Sequence, residues 1–257
     1  MKYILNPNIA LRSWRLVPCA YYIKHRRDAC GLSREEFDLL CRCDGLHELE
    51  ESALLRKFTD SGMVRPCAGG EKLGEWQKPR FCDNRYFPSM SWMLTGKCNY
   101  NCLHCFNAAD NAPLMSEFTL EEAERLIEEA EKCGINAITV TGGEPMLHKD
   151  FFDIIESIYA HGMYVRELNT NGFFLNESSL EKLKSIDGDI RIKISFDGFG
   201  HHDWLRNRKG AEENALRAIR LSKEYGFFTQ VQTNVHRRNK DAILYTAEQM
   251  DAVGVEH

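Results

Sequence analysis

The sequence lacks a long apolar run, a basic amino-terminal stretch with a cleavage site, and an excess of positive charge. A membrane-spanning helix needs about 20 consecutive apolar residues, and a secretory signal needs a basic segment ahead of a short apolar one. We therefore expect a cytoplasmic protein without a membrane partner. The formal net charge of −5, with both signs interspersed, also argues against nucleic acid as a partner, because a phosphate backbone requires a basic surface.

Cysteine, in contrast, is abundant. The 257 residues allow one large domain or two of ordinary size, and they include ten cysteines. In a cytoplasmic chain such cysteines are reduced thiols or metal ligands rather than a disulfide framework. Free thiols in this number suit life without oxygen, and we expect an anaerobic setting.

Three of the cysteines form a compact motif. Cys98, Cys102 and Cys105 are separated by three and then two residues, and they follow the apolar run Trp92-Met93-Leu94. Thiolates select soft metal ions and iron-sulfur clusters, whereas a closed structural zinc site needs four ligands, and no fourth one lies nearby at knuckle spacing. A cubane cluster held by three thiolates keeps one iron open for an exogenous ligand. The motif predicts such a cluster, with structural cysteines or zinc as the alternative.

This Cys-x3-Cys-x2-Cys motif resembles the signature of the radical S-adenosylmethionine (SAM) superfamily, although His104 stands where the family often has an aromatic residue. A second match follows at Gly142, Gly143, Glu144 and Pro145, which resembles the family's Gly-Gly-Glu-Pro motif. We interpret its glycines as allowing the backbone to approach SAM and its acceptor oxygens as meeting the ammonium group of the methionine part.

Further segments resemble SAM-contacting parts of the family. Asn171 lies in Asn-Thr-Asn-Gly after the third predicted strand, Ser195 and Asp197 end the fourth, and Arg206 follows in His-Asp-Trp-Leu-Arg. In the family the serine meets the ribose and the arginine pairs with the methionine carboxylate, a task that suits the bidentate guanidinium. A plain turn at Asn171 and a surface ion pair at Arg206 are the alternatives.

From about Ser91 onward, strand and helix patterns alternate, which predicts a parallel α/β architecture. Strands are predicted at 137–140, 164–168, 190–196 and 228–235, and helices at 119–134, 151–160, 178–185, 211–225 and 241–250. With the strand before Cys98, these make about five β/α units. The resemblance implies a partial (β/α)6 barrel over residues 86–257. It also implies that the last strand and helix, and a domain with auxiliary clusters, would follow the present carboxyl end.

Residues 1–85 are predicted to form a separate, small α+β domain. Its pattern contains a β-hairpin from Ile9 to Lys24, a helix capped by Ser33, a second helix from Glu48 to Ser61, and a short strand at 63–65 ahead of a polar linker. This arrangement is winged-helix-like, but the acidic second helix argues against DNA binding. It resembles the peptide-recognition element found ahead of radical SAM enzymes that modify ribosomally made peptides, which holds a leader peptide as an added strand.

The resemblance implies an enzyme of the sactisynthase-like, SPASM-type group. It would reductively cleave SAM at a [4Fe-4S] cluster to a 5'-deoxyadenosyl radical and modify a precursor peptide by thioether crosslinking, with the leader bound to residues 1–85. A flavodoxin- or ferredoxin-like protein is the expected reductant, and no titratable catalytic residue is assigned. One alternative is a radical SAM maturase that acts on another protein or a small molecule. The other is a non-catalytic iron-sulfur or zinc protein.

Overall fold

The structure is a computed structural model that describes residues 1–26, 28–105, 107 and 117–256. It divides into two compact units. The first unit comprises Met1–Met90, Glu124–Ala137 and Ser157–Tyr164, and the second comprises Ser91–Ala123, Ile138–Glu156 and Val165–His257. Within the described ranges, no helix has the length and apolar character needed to cross a bilayer.

The amino-terminal part of the first unit contains two small sheets and two helices. Its elements are β1 (Lys2–Leu5), β2 (Ile9–Ser13), β3 (Ala20–Ile23), β4 (Cys30–Gly31), α1 (Arg34–Cys41), β5 (Asp44–Glu48), α2 (Ala53–Asp60), β6 (Val64–Cys67) and β7 (Arg80–Phe81). One sheet has the order β5-β1-β6 and the other β4-β3-β2-β7. The predicted hairpin is confirmed, since β2 pairs antiparallel with β3. Buried side chains of β1, β2, α1 and α2 share one apolar core.

The two helices differ in how well the sequence predicts them. The capping box of α1 is confirmed, because Ser33 Oγ accepts from the Glu36 amide and Glu36 Oε2 accepts from the Ser33 amide. The predicted helix from Glu48 to Ser61 is wrong at its start, because Glu48 ends strand β5 and α2 begins only after its N-cap Ser52. The cause is non-local: β5 pairs with β1, with Lys2 opposite Glu48.

A buried cation connects separate segments of the first unit. The Arg12 side chain lies in β2 with no solvent exposure. Its Nε donates to Asn136 Oδ1 at 2.7 Å, and its Nη1 and Nη2 donate to the carbonyls of Lys78 and Trp76 at 2.9 Å each. Burial lowers the pKa of Arg12, yet a guanidinium keeps its proton in proteins. Three segments distant in sequence are therefore joined through a single charged group.

The elements from Ser89 onward alternate between strand and helix. They are β8 (Ser89–Met93), α3 (Leu120–Lys132), β9 (Ala137–Thr141), α4 (Phe151–Ala160), β10 (Tyr164–Thr170), α5 (Glu177–Ile186), β11 (Arg191–Ser195), α6 (His202–Arg206), α7 (Ala211–Glu224), β12 (Thr229–Gln232) and α8 (Ile243–Ala252). Strands β8 to β12 form one sheet in chain order, and β11 pairs parallel with both β10 and β12. Sequential order is typical of barrels rather than doubly wound sheets. The predicted α/β fold with a parallel sheet is confirmed.

The two faces of β11 differ in chemistry. Ile192 and Ile194 have no solvent exposure, whereas Arg191, Lys193 and Ser195 alternate with them and are partly exposed. Successive residues of a strand point to opposite faces, so one face of β11 is core and the other is polar. The polar face includes two of the residues that line the candidate site.

We predict that Arg12→Met lowers the free energy of unfolding by about 3 kcal/mol or more, because the acceptors on Trp76, Lys78 and Asn136 lose a buried donor. Urea denaturation measures this loss. Arg34→Met is the matched control: Arg34 pairs with Asp38 at 2.8 Å on the surface, and we expect a much smaller change in the unfolding free energy. Equal effects of the two substitutions would contradict the prediction.

Candidate functional site

The second unit contains a cavity of about 750 Å³ at the carboxyl ends of the parallel strands. All three motif cysteines line it, together with residues at or just after the ends of β9, β10, β11 and β12. The lining residues used below are Cys98, Tyr100, Cys102, His104, Cys105, Gly142, Gly143, Asn169, Asn171, Lys193, Ser195 and Arg206. In barrels of this kind, reactive groups lie at this end of the strands.

The cysteine loop is partly buried. Cys98 Sγ accepts a hydrogen bond from the Tyr100 amide at 3.4 Å, and the Cys105 amide donates to the Cys102 carbonyl at 3.1 Å. Burial raises the pKa of the Cys98 thiol to about 11 and also raises the pKa of Cys102. Thiols must lose their protons to ligate a metal, so a bound metal centre would supply the charge that stabilises them here as thiolates.

Two side chains from later in the chain approach the cysteine sulfurs. Asn171 Nδ2 lies 3.9 Å from Cys98 Sγ and donates to Asn99 Oδ1 at 2.8 Å. Arg206 Nη1 lies 3.9 Å from Cys102 Sγ. Hydrogen bonds and charge around ligand sulfurs tune the reduction potential of an iron-sulfur cluster. The structure thus brings Asn171 and Arg206 together with the cysteine motif.

A buried carboxylate orients Arg206. Asp197 Oδ2 accepts from Arg206 Nε at 2.7 Å and lies 3.1 Å from His202 Nδ1, while Asp197 Oδ1 accepts from the Asn234 amide at 3.0 Å. Burial by itself raises the pKa of Asp197, but the hydrogen bond with His202 and the charge of Arg206 outweigh it and lower the pKa. Because Nε is occupied, the Nη edge of Arg206 is the part that faces the cavity.

The two glycines of the Gly-Gly-Glu-Pro motif lie against protein backbone. A Cβ added at Gly142 would be 2.6 Å from the Thr95 carbonyl oxygen, and one at Gly143 would be 2.2 Å from that of Lys97. The Gly143 amide donates to Thr95 O at 2.8 Å. Their close approach is therefore to the segment that leads into the cysteine loop. Both glycines also line the cavity, and their contact with SAM stays a prediction.

Glu144, the third residue of the motif, is fully buried. Its carboxylate accepts from Thr170 Oγ1 at 2.8 Å, from the Asn171 amide at 2.8 Å and from the Met146 amide at 3.2 Å. Pro145, which is also buried, begins a short turn after it. Burial raises the pKa of Glu144 to about 7, although these hydrogen bonds oppose the shift. Glu144 links the ends of β9 and β10, and its role as a SAM contact stays a prediction.

Several polar atoms of cavity-lining residues are shielded from solvent and have no hydrogen-bond partner among the described residues. They are Tyr100 Oη, His104 Nδ1 and Asn169 Oδ1. Buried polar groups without partners cost free energy, so they favour a polar ligand in this cavity. Ser195 lines the same cavity. Three thiols beside unpaired polar atoms fit a cluster together with a polar, nucleoside-containing ligand such as SAM.

Comparison with known families agrees with this chemistry. Residues 92–250 match the family model described as the radical SAM superfamily. The chain belongs to the radical SAM superfamily. It is thus related to enzymes that use a [4Fe-4S] cluster and SAM, the cofactors that the resemblance implied.

Relatives with assigned roles include proteins named for heme synthesis and proteins named for peptide modification or bacteriocin biosynthesis. An AdoMet-dependent heme synthase of Methanosarcina barkeri is 34% identical over 167 residues, which are 64% of this chain and 47% of that protein. The subtilosin biosynthesis protein AlbA of Bacillus subtilis is 28% identical over 166 residues, which are 63% of this chain and 36% of AlbA. The chain thus spans less than half the length of either relative.

A solved structure resembles nearly the whole chain. The crystal structure of Streptococcus suis SuiB bound to S-adenosylmethionine superposes with a TM-score of 0.69 at 12% identity, covering 99% of this chain and 62% of that one. At this identity the likeness concerns the fold alone. The matched part includes residues ahead of position 92, where the family model begins.

Arg208, next to the site, is one of the residues that the sequence analysis missed. Arg208 Nη1 donates to the Asn99 carbonyl at 2.7 Å, and its guanidinium lies 5.1 Å from the ring centres of both Tyr100 and Phe173. It therefore links the cysteine loop to the turn after β10 through a hydrogen bond and two cation–π contacts. Arg208 lies outside every recognised motif, so no signal in the sequence distinguishes it from an ordinary surface arginine.

We predict that ionisation of Glu144 destabilises the metal-free fold as the pH rises. The raised folded-state pKa means that the contribution of Glu144 is fully present below about pH 4.5 and is lost as the pH rises through about 7. The unfolding free energy should therefore fall by about 1.4 kcal/mol per pH unit in this window, relative to Glu144→Gln.

Urea denaturation at several pH values and constant ionic strength measures this difference. Glu213→Gln removes an exposed carboxylate of α7 and is the control, for which we expect a profile parallel to that of the wild type. If the wild type and Glu144→Gln gave parallel profiles, Glu144 would not titrate as inferred.

Proposed function

We propose that this radical SAM enzyme modifies a ribosomally synthesised precursor peptide whose leader binds to residues 1–85. The observation that carries the proposal is the likeness in fold to SuiB over 99% of the chain, because this likeness includes the residues ahead of position 92, where the superfamily match begins. A second SuiB crystal structure is described as bound to the precursor peptide SuiA. AlbA is named for the biosynthesis of the bacteriocin subtilosin. A PqqA peptide cyclase of Granulibacter bethesdensis, which is 29% identical over 163 residues, is named for a peptide substrate.

In this proposal Cys98, Cys102 and Cys105 hold the cluster. Arg206, held by Asp197 at its Nε edge, offers its Nη edge to the carboxylate of SAM, and Ser195 contacts the ribose. The Gly142 to Pro145 segment and Asn171 form the wall on the β9 and β10 side. When bound, the cluster and SAM supply a 5'-deoxyadenosyl radical that abstracts a hydrogen atom. The chain positions the substrate and excludes water from it.

The favoured product is a bond between a cysteine sulfur and an α-carbon of the peptide. Forming this thioether removes two hydrogen atoms from the peptide. One is taken by the deoxyadenosyl radical, and the other leaves as a proton and an electron. An auxiliary iron-sulfur cluster, a ferredoxin or a flavodoxin would take this electron. A carrier of the same class would supply the electron needed to cleave SAM.

The recognition element is proposed to bind the leader at the outer edge of β4. Two of the other three edges are less suitable: Pro66 removes a donor from β6, and the Leu46 and His47 amides of β5 already donate to Asp44 Oδ1. Directly after β4, the Leu32 amide donates to the Cys19 carbonyl, and within β4 Gly31 lies opposite Ala20.

Antiparallel pairs alternate between hydrogen-bonded and non-bonded positions. The N–H and carbonyl of Gly31 therefore point outward, where an added strand can pair with them.

The heme synthase relatives favour a second candidate, a maturase that acts on a small molecule such as a tetrapyrrole. In that case residues 1–85 would have no leader to bind. Peptide binding to the chain separates the two candidates.

We predict that the anaerobically reconstituted chain releases 5'-deoxyadenosine from SAM under a strong reductant, and that Cys98→Ala abolishes the release because the cluster loses one of three ligands. Liquid chromatography of the quenched reaction measures the product. Cys30→Ala, at an exposed thiol outside the motif, should retain the release. Product formation by Cys98→Ala would refute the cluster assignment.

We also predict that a labelled synthetic leader, taken from the precursor gene beside this one, binds the full chain saturably in fluorescence polarisation. Gly31→Pro should weaken binding at least about 10-fold because it removes the outward N–H. Gly31→Ala is the control, since a Cβ at this position meets no atom within 4 Å. Urea denaturation checks that both variants fold. No saturable binding by the wild type would favour the small-molecule candidate, and unchanged binding by Gly31→Pro would exclude this edge.

A further inference from the structure

A row of polar side chains crosses the sheet one layer below the SAM-contacting positions. In the strand register, Lys193 of β11 pairs with Asn169 of β10 on one side and with Gln230 of β12 on the other. Lys193 lies two residues before Ser195, which places it about 7 Å deeper along the strand. Both Asn169 and Lys193 line the cavity.

Polar residues are unusual on this face of a parallel sheet. The interior of a closed (β/α)8 barrel is filled mainly by branched apolar side chains, which form a packed core. Here Asn169 Oδ1 is shielded from solvent without a hydrogen-bond partner among the described residues. A buried acceptor of this kind costs free energy unless a ligand supplies the donor. The row is therefore better suited to a binding surface than to a core.

The ammonium group of Lys193 is held in place by an ion pair with Glu167, which lies deeper in the sheet. Its Nζ lies 2.9 Å from Glu167 Oε2, and the two side chains are only 27% and 15% exposed. Glu167 is two residues before Asn169 on β10, so the ion pair and the unpaired amide lie on the same face of the sheet. A lysine ammonium has three donors, and Glu167 uses one, which leaves donors for a second acceptor.

We propose that Asn169 and Lys193 bind the N–H and C=O of one extended residue of the substrate peptide. Asn169 Oδ1 accepts the peptide N–H, and Lys193 Nζ donates to the peptide carbonyl. The two groups of one extended residue lie on the same side of its backbone, and the two side chains project from neighbouring strands about 4.8 Å apart. This inference rests on the proposed peptide substrate, and it makes Asn169 and Lys193 residues that position the substrate beneath SAM.

The rival for these residues is SAM itself, because Ser195 lies one layer above. The two ligands make different demands. Contact with SAM requires that losing Lys193 weaken SAM binding, whether or not peptide is present. Contact with a main-chain amide requires that one backbone N–H of the peptide be coupled energetically to Asn169.

An amide-to-ester scan of the precursor peptide tests this coupling, because an ester removes one N–H and leaves the side chain in place. With the reconstituted wild-type chain, we expect one ester position to raise KM about 3- to 10-fold, the worth of one hydrogen bond. Asn169→Ala should raise KM for the all-amide peptide by a similar factor. The same ester should then have no further effect, which is the non-additivity expected of direct contact.

Lys193→Met should raise KM for the peptide about 10-fold and change kcat less, while Lys193→Arg should restore most of the loss. Lys182→Met is the matched control, since Lys182 on helix α5 forms an ion pair at 3.2 Å with Glu156 on helix α4. The SAM dissociation constant is measured on every variant. Additive effects of Asn169→Ala and each ester, or a loss of SAM affinity by Lys193→Met as large as its peptide effect, would overturn the inference. A wild-type chain that modifies no peptide would instead show that the proposed function has failed, and this inference with it.

Discussion

The carboxylate of Asp197 is the group on which the organisation of the cavity depends most. It has no solvent exposure, yet it pairs with Arg206 from α6 and accepts a hydrogen bond from the Asn234 amide after β12. The Asp197 carbonyl in turn accepts from Asn239 Nδ2 at 2.8 Å. A buried guanidinium without a counter-ion is strongly unfavourable, so the orientation of Arg206 beside Cys102 follows from this one carboxylate. Arg206, Asn234 and Asn239 therefore all contact Asp197. Two of them, Arg206 and Asn234, line one side of the cavity.

Most of the parallel sheet can be predicted from the sequence because its signals are local. The capping box at Thr119 and Glu122 fixes where α3 begins, and the apolar stretch of α4 coincides with the observed Phe151–Ala160. The strand β5 could not be predicted in this way. Its pairing with β1 joins residues at least 40 positions apart, and the sequence around Glu48 by itself favours a helix. Local patterns contain no information about such a partner.

In the candidate site, too, some residues can be identified from local motifs, whereas others are identified only by contacts between distant segments. Motif spacing identifies Cys98, and the structure then brings Asn171 and Arg206 to the same cavity. The glycines have a further packing role that was not expected, because Gly143 accommodates the Lys97 backbone, a contact that depends on how two loops pack. Lys193 was overlooked for a related reason. Lysine in a strand is usually solvent-exposed, and only the register across neighbouring strands shows that it faces the cavity.

The sequential order of β8 to β12 has a consequence for how the protein is made. Cys98 and Cys102 leave the ribosome with the first of these strands, whereas Asn171 and Arg206, which approach their sulfurs, follow 73 and 104 residues later. At ordinary rates of translation these intervals are roughly 4 to 15 s and 5 to 20 s. During that time the nascent thiols have neither neighbour beside them. The surroundings of the sulfurs seen in the structure are therefore complete only after Arg206 has been synthesised.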